Sequence, residues 1–300
     1  MSTLSALVGD LAQAREAVAG RLRGIDPADI DALRRAYDAF TDNDPMPDIS
    51  TRSQIELAGV SCLGILPKGA SGDHLILWLH GGGFAMGSSH SHRGLASQVG
   101  ARARTAVILP DYRLAPEHPC PAAIEDCVGV YRAVLNEGVR PQHVILAGDS
   151  AGGCLALATA LRLKEAGLQQ PAGLMLLSPW VDLQQRGWSH QAKAQRDPLL
   201  TTGGLAARAR AFLGEASISV LEADLRGLPP TYIQTGEADI LMSDSATLAE
   251  RLGAAGAPVT LEFWPDMFHV FQARYMMLAQ AREAIDRLGQ WAREHVNRPA

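Results

Sequence analysis

Ser150 stands in the stretch Gly148-Asp149-Ser150-Ala151-Gly152, directly after the apolar run Val144 to Ala147. A serine hydroxyl can act as a nucleophile when a base activates it. The G-x-S-x-G spacing suits a sharp strand-to-helix turn, on which the serine takes a strained backbone and small neighbours leave its hydroxyl clear. Leu155, Ala156, Leu157 and Leu161 then continue with helical spacing. A Gly/Ser cluster after an apolar run is also how an ordinary turn leaves a sheet, and a chain with 29 glycines can hold the spacing by chance. The serine therefore needs partners elsewhere in the chain.

The base expected of a serine nucleophile is a histidine oriented by a carboxylate. Of nine histidines, His269 lies in "FWPDMFHVF", just past the last apolar run that reads as a strand. Its apolar neighbours alone would suit a packed core histidine; its place at the end of a strand favours the base. Asp239 follows the strand-like "TYIQTG" and falls between serine and histidine in chain order. Asp244 is the reserve acid, and Asp266 shares a tight loop with His269. A further element of such a site is a set of backbone donors for the oxyanion of acyl transfer. "HGGGFAMGS", His80 to Ser88, offers them, since three successive glycines let N–H groups approach a ligand closely. A dinucleotide phosphate cradle is the rival, with Asp111 where a ribose-binding acid would stand. Its G-x-G-x-x-G register fails because Met86 takes the final glycine position counted from Gly81, and no clear amphipathic helix follows directly.

These groups must be held by a scaffold whose strands end at one rim. Leu75 to Leu79, Thr105 to Leu109, Val144 to Ala147, Leu174 to Leu177, Tyr232 to Thr235 and Val259 to Phe263 are short apolar runs, mostly separated by helical segments or loops. Such alternation predicts a mostly parallel sheet with helices on both faces, beginning near Gln54. Two amphipathic helices precede it, one striped by Leu4, Leu7, Val8, Leu11, Val18 and Leu22. The other begins at Asp26-Pro27 and carries Ile30, Leu33, Tyr37 and Phe40. Between Leu183 and Val220 the rhythm breaks into a polar, Ala-rich segment that reads as an inserted helical piece.

A length of 300 residues, 47% hydrophobic and 20% charged, fits one soluble domain, residues 1–300. The net charge of −5 and the lack of any Lys/Arg run argue against nucleic acid as a partner. Cys62, Cys120, Cys127 and Cys154 form no C-x-x-C pair, which suits reduced thiols and makes zinc improbable. The first twenty residues lack the features of a secretion signal and no run is long enough to span a bilayer, so a cytoplasmic location without membrane association is expected.

Several ordered motifs together resemble the bacterial hormone-sensitive-lipase-like esterases of the α/β-hydrolase superfamily: "HGGG" at 80–83, "DYRLAPEHPCPAAIEDC" at 111–127, "GDSAGG" at 148–153, "SPWVDL" at 178–183, "DPLL" at 197–200 and the Asp239 and His269 segments. The resemblance covers almost the whole chain. It implies an α/β-hydrolase fold with a sheet of about eight strands, and a helical cap formed by about 1–45 and about 183–220. It implies Ser150 as nucleophile, His269 as base and Asp239 as orienting acid, an oxyanion hole from the N–H groups of Gly82, Gly83 and Ala151, and neither metal nor cofactor. Asp111, Arg113 and Glu117 are expected to brace the serine turn. Phe84, Asp149, Ile240, Leu241, Phe268 and Val270, which neighbour these groups in sequence, are expected to contact the substrate. Cys120, where an aromatic is common, and Ile240 in "DIL", where "DPL" is usual, depart from the family's pattern.

The activity implied is hydrolysis of small-molecule carboxylic esters with short to medium acyl chains, through an acyl-enzyme. A lactonase or an amide-hydrolysing deacetylase would use the same chemistry. A non-catalytic receptor on the same scaffold, as in the plant gibberellin receptors, would lack the histidine that stands here at 269. "VTLEFW", Val259 to Trp264, reads as an edge strand open to pairing, and the resemblance suggests a homodimer formed there and through the final helix.

Overall fold

Along each central strand, successive side chains point to opposite faces, and here both faces are covered. In the computed structural model, which describes residues 3–26, 29–216 and 218–296, eight strands form one sheet. They are β1 Ile49–Leu57, β2 Val60–Pro67, β3 Ser71–Leu79, β4 Thr105–Pro110, β5 Val144–Asp149, β6 Gly173–Leu177, β7 Thr231–Gly236 and β8 Val259–Trp264. The order is β1-β2-β4-β3-β5-β6-β7-β8; β2 runs antiparallel to both of its neighbours, and the rest of the sheet is parallel. The expected mostly parallel sheet is present. It starts at Ile49 rather than Gln54, because β1 is an exposed edge strand with almost no apolar signal to mark its beginning.

The alternation separates two cores. Leu75, Leu77, Leu79, Leu146, Leu176 and Ile233 face one side, with the buried residues of α4 (Ala122–Asn136), α5 (Ala151–Glu165) and α8 (Met242–Ala254). Ile76, Trp78, Ile145, Ala147, Met175 and Tyr232 face the other, against α3 (Ser89–Ala103) and α9 (Ala279–Val296). Because neighbouring strands are parallel, the turns after β3, β5, β7 and β8 all emerge at one rim, the edge at which open α/β sheets bind ligands. All four cysteines are buried and unpaired.

Two opening helices precede the sheet. In α1 (Thr3–Gly20), Ala14 and Val18 are buried with Phe268, Phe271 and Leu95; the side chains of Leu4, Leu7 and Val8 lie outside the described residues. So does Pro27, the expected start of the second helix. The observed α2 spans Ile30–Ala39, and the Asp29 carboxylate caps it by accepting from the Ala32 N–H at 2.9 Å. The chain leaves the sheet after β6 and forms α6 (Ser189–Ala192) and α7 (Thr202–Leu213) before returning at Thr231. Arg15 on α1 bonds the carbonyl of Arg196 within that excursion. Among the described residues no helix is long and apolar enough to cross a membrane.

Candidate active site

Ser150 follows β5 without a linker, and its backbone sits at φ 54° and ψ −121°. Positive φ is strained for a serine and persists only where the surroundings over-determine it. Here the surroundings are backbone: a Cβ on Gly152 would press on the carbonyls of Leu79 and His80, and one on Gly148 would lie 2.8 Å from the Leu79 oxygen. With no side chains at these points, α5 lies directly against the end of β3. The Ser150 N–H donates to the Leu177 carbonyl at 2.9 Å, and the Ser150 carbonyl accepts from Trp180 and Gly153.

The glycine loop after β3 is held from beneath by Asp149. Its carboxylate accepts from the Trp78 indole at 3.1 Å and the Gly81 N–H at 3.2 Å, and lies 3.2 Å from His92 Nε2. Burial pushes the Asp149 pKa up, but His92, Trp78 and His80 more than reverse this, and the net shift is downward, which keeps it an acceptor. Burial with the nearby His92 drives His80 down to about 3, so this ring stays neutral. Gly82 has φ 119°, Gly83 65° and Phe84 62°. A Cβ on Gly82 would run into the Met86 carbonyl, so only glycine fits there. Among the described residues, no acceptor takes a hydrogen bond from the N–H of Gly82, Gly83 or Ala151.

His269 is 4% exposed and its Nδ1 lies 3.1 and 3.2 Å from the two oxygens of Asp239, itself fully buried. Asp239 also accepts from the Leu241 N–H at 2.8 Å. Asp244, the reserve acid, is engaged elsewhere: it accepts from the N–H groups of Val181 and Asp182 and lies 3.0 Å from His190 Nε2. Asp266 is mostly exposed and pairs with Arg196. Asp197, which opens the "DPLL" motif and has no role assigned from the sequence, accepts through its carboxylate from Leu199, Leu200 and Ile240 and so ties the excursion to the Asp239 turn. Burial, then the Asp239 charge, raises the Asp197 pKa. For His269, burial pulls downward, but the charge and hydrogen bond of Asp239, with the charges of Asp197 and Asp149, outweigh it and raise the pKa.

Ser150 and His269 line one cavity of about 290 Å³, with no hydrogen bond joining them. Its wall includes Gly82, Gly83, Asp149, Phe268 and Val270, together with residues of α1, α2 and 199–208. Three expected substrate contacts are placed differently. Phe84 turns into the core and stacks on Phe212 with ring centroids 3.8 Å apart, while Ile240 and Leu241 are fully buried in the same cluster. The tight turns that carry these residues aim their side chains away from the groups they adjoin. Asp111, Arg113 and Glu117 also differ from expectation. Asp111 accepts from the backbone and hydroxyl of Ser89, Arg113 pairs with Asp126, and Glu117 pairs with Arg34 of α2. They brace their own loop against three helices, and none touches the serine turn.

Comparison with known proteins adds an independent line. Residues 76–273 match the model of a family described by the alpha/beta hydrolase fold. An acetyl-hydrolase of Streptomyces hygroscopicus is 43% identical over 223 residues, 73% of this chain and 75% of that one. An esterase of Acinetobacter venetianus is 37% identical over 268 residues, 87% of this chain and 88% of its own length. The crystal structure of an esterase from the bacterial hormone-sensitive lipase family superposes with a TM-score of 0.93 at 35% identity, covering 96% of this chain and 99% of the other.

Proposed function

This chain belongs to the α/β-hydrolase fold family and is a carboxylic ester hydrolase of the hormone-sensitive-lipase-like type, and we propose that it works through an acyl-enzyme on Ser150. His269 takes the Ser150 proton as the hydroxyl oxygen attacks the ester carbonyl, and Asp239 stabilises the imidazolium that forms. The carbonyl oxygen, now negative, accepts from the N–H groups of Gly82, Gly83 and Ala151. His269 returns the proton to the departing alcohol. Water, activated by the same imidazole, then releases the acid from Ser150. The observation that carries this reading is the convergence on one cavity of a strained serine, a histidine held by a carboxylate, and Gly82 and Gly83, whose N–H groups have no acceptor among the described residues.

The pH profile tests it. Only the neutral imidazole accepts the proton, and the pKa of His269 is raised, so kcat/KM should climb with pH through a midpoint above the ordinary histidine value of about 6.5. Asp197→Asn removes one of the charges that raise it and should move the midpoint to lower pH. A profile flat from pH 5 to 9, roughly the span over which a perturbed histidine titrates, with chemistry rate-limiting, would remove His269 as base.

A cavity near the small end of ligand pockets, which run from about 300 Å³, supports short to medium acyl chains, as does the likeness to an acetyl-hydrolase. Helices α1 and α2 and the excursion at 183–220 act as the cap of this pocket and exclude water from it. For quaternary structure, β8 is the outermost strand beside β7 and exposes Phe263 by 44%, which supports pairing of two copies along that edge. Light scattering over a dilution series should give a dimer mass, and a monomer throughout would exclude it.

A further inference from the structure

The cavity wall carries five charged side chains besides His269, and four of them are occupied. Asp149 is held by Trp78, Gly81 and His92. Asp44 and Arg274 pair at 3.4 Å. Arg21 lies over the Tyr37 ring, 3.3 Å from its centroid, and reaches the Tyr37 carbonyl. The fifth is Arg208 on α7, for which no hydrogen-bond acceptor or ion-pair partner exists among the described residues. Its aliphatic stem lies on the glycine loop: a Cβ on Gly83 would strike Arg208 Cδ, with Nε next at 3.3 Å. The guanidinium is thus carried beside the N–H groups that face the reacting carbonyl.

A partly buried guanidinium without an anion leaves its donors unmet, and its planar fork matches a carboxylate in a bidentate pair. Burial does pull the Arg208 pKa down, but from a value so high that the group remains charged at neutral pH. The surroundings reinforce the field. Arg21 and Arg208 both act electrostatically on the Tyr37 hydroxyl, and Arg21 Nε is itself buried without an acceptor. Of the two carboxylates on the wall, Asp44 pairs with Arg274, and Asp149 has its oxygens engaged by Trp78, the Gly81 N–H and His92.

We propose that Arg208 is a specificity-determining residue and that the natural substrate is an ester carrying a carboxylate, or a phosphate of like oxygen geometry, within one side-chain's reach of the scissile carbonyl. This rests on the ester-hydrolase reading of the same cavity. The anionic group meets Arg208 directly, with Tyr37 and Arg21 behind it.

Matched esters test this in each half of the substrate. For the acyl half, the mono-4-nitrophenyl ester of glutaric acid is compared with methyl 4-nitrophenyl glutarate. For the alcohol half, the acetyl ester of 3-hydroxybenzoate is compared with that of its methyl ester and that of 3-hydroxyphenyl phosphate. In at least one half the anion should be favoured in kcat/KM by about tenfold or more, the scale of a charge-assisted bidentate contact. Arg208→Met should collapse that charged-to-neutral ratio, and Arg208→Lys should restore part of it. The phosphate arm tells which anion is preferred. Equal turnover of charged and neutral esters by the native protein, or a parallel fall on both that leaves the ratio unmoved in Arg208→Met, overturns the proposal. Calorimetry of glutarate and 3-hydroxybenzoate with the Ser150→Ala protein decides separately from catalysis: binding of either that is lost on adding Arg208→Met supports the site, and no binding of either counts against it. Failure of every ester to turn over, with such binding intact, would strike the hydrolase reading and leave the anion site standing.

Discussion

Ser150→Ala should lower kcat for 4-nitrophenyl acetate by about a million-fold, the scale seen when a triad nucleophile is deleted in an unrelated serine hydrolase. The fold should survive. The serine hydroxyl makes no hydrogen bond among the described residues, and what holds the turn is backbone: the Ser150 N–H on Leu177 and the close seating of Gly148 and Gly152 against β3. Alanine keeps the Cβ that already sits at φ 54°, so the strain is neither added nor released. The expected result is a near-native melting curve with turnover at background. Near-native turnover would require another nucleophile, and none of the other serines on the cavity wall is positioned beside His269: Ser91, the one that lines it, caps α3 through Ser88.

Asp239→Asn should cost about ten-thousand-fold in kcat, because an amide facing Nδ1 favours the wrong imidazole tautomer and withdraws the charge that stabilises imidazolium. The amide oxygen can still accept from Leu241, so the loss is of rate more than of structure. Asp244→Asn should behave in the opposite sense. That carboxylate accepts two backbone N–H groups and faces His190 in a fully buried setting, so its loss should lower the melting temperature, by several degrees for a defect on the order of 1–3 kcal/mol. Turnover per folded molecule should change little. Measuring kcat and melting temperature on both variants separates the two roles, and the reverse pattern would transfer the acid to Asp244.

The parts of this site that could be read from the chain are those in which one local pattern carries one job. The buried strands announced themselves as apolar runs because both of their faces are covered, and the serine turn by the small residues that a backbone-on-backbone contact demands. Asp239 is favoured over Asp244 because it follows a strand at the rim while the other lies within the next helix, and the structure pairs Asp239 with His269 and Asp244 with His190. What could not be read depends on side chains meeting across long separations. Asp197 opens the "DPLL" motif, but nothing local tells that it reaches the Asp239 turn, and His92 is 57 residues from the Asp149 it supports, with nothing local to mark it. Adjacency misled in the other direction. Phe84, Ile240 and Leu241 stand next to reactive groups, yet a tight turn sends neighbouring side chains to different sides, and theirs went to the core. Arg208 was hidden in an alanine-rich stretch, where a single arginine reads as an exposed helix face.

The placement of groups on two different parts of the chain has an evolutionary consequence. Ser150, His269, Asp239 and the glycine loop follow the ends of strands that belong to one hydrogen-bonded sheet, whereas Arg21 lies in the turn after α1, Tyr37 on α2 and Arg208 on α7, in segments that precede the sheet or interrupt it between β6 and β7. On the roles proposed above, lineages that exchange or recombine these segments would inherit a new substrate preference in a few substitutions, while the chemistry is passed on unaltered. Laboratory libraries confined to residues 18–41 and 199–208 should sample the same drift, and would waste few members on proteins that have lost their reactive centre.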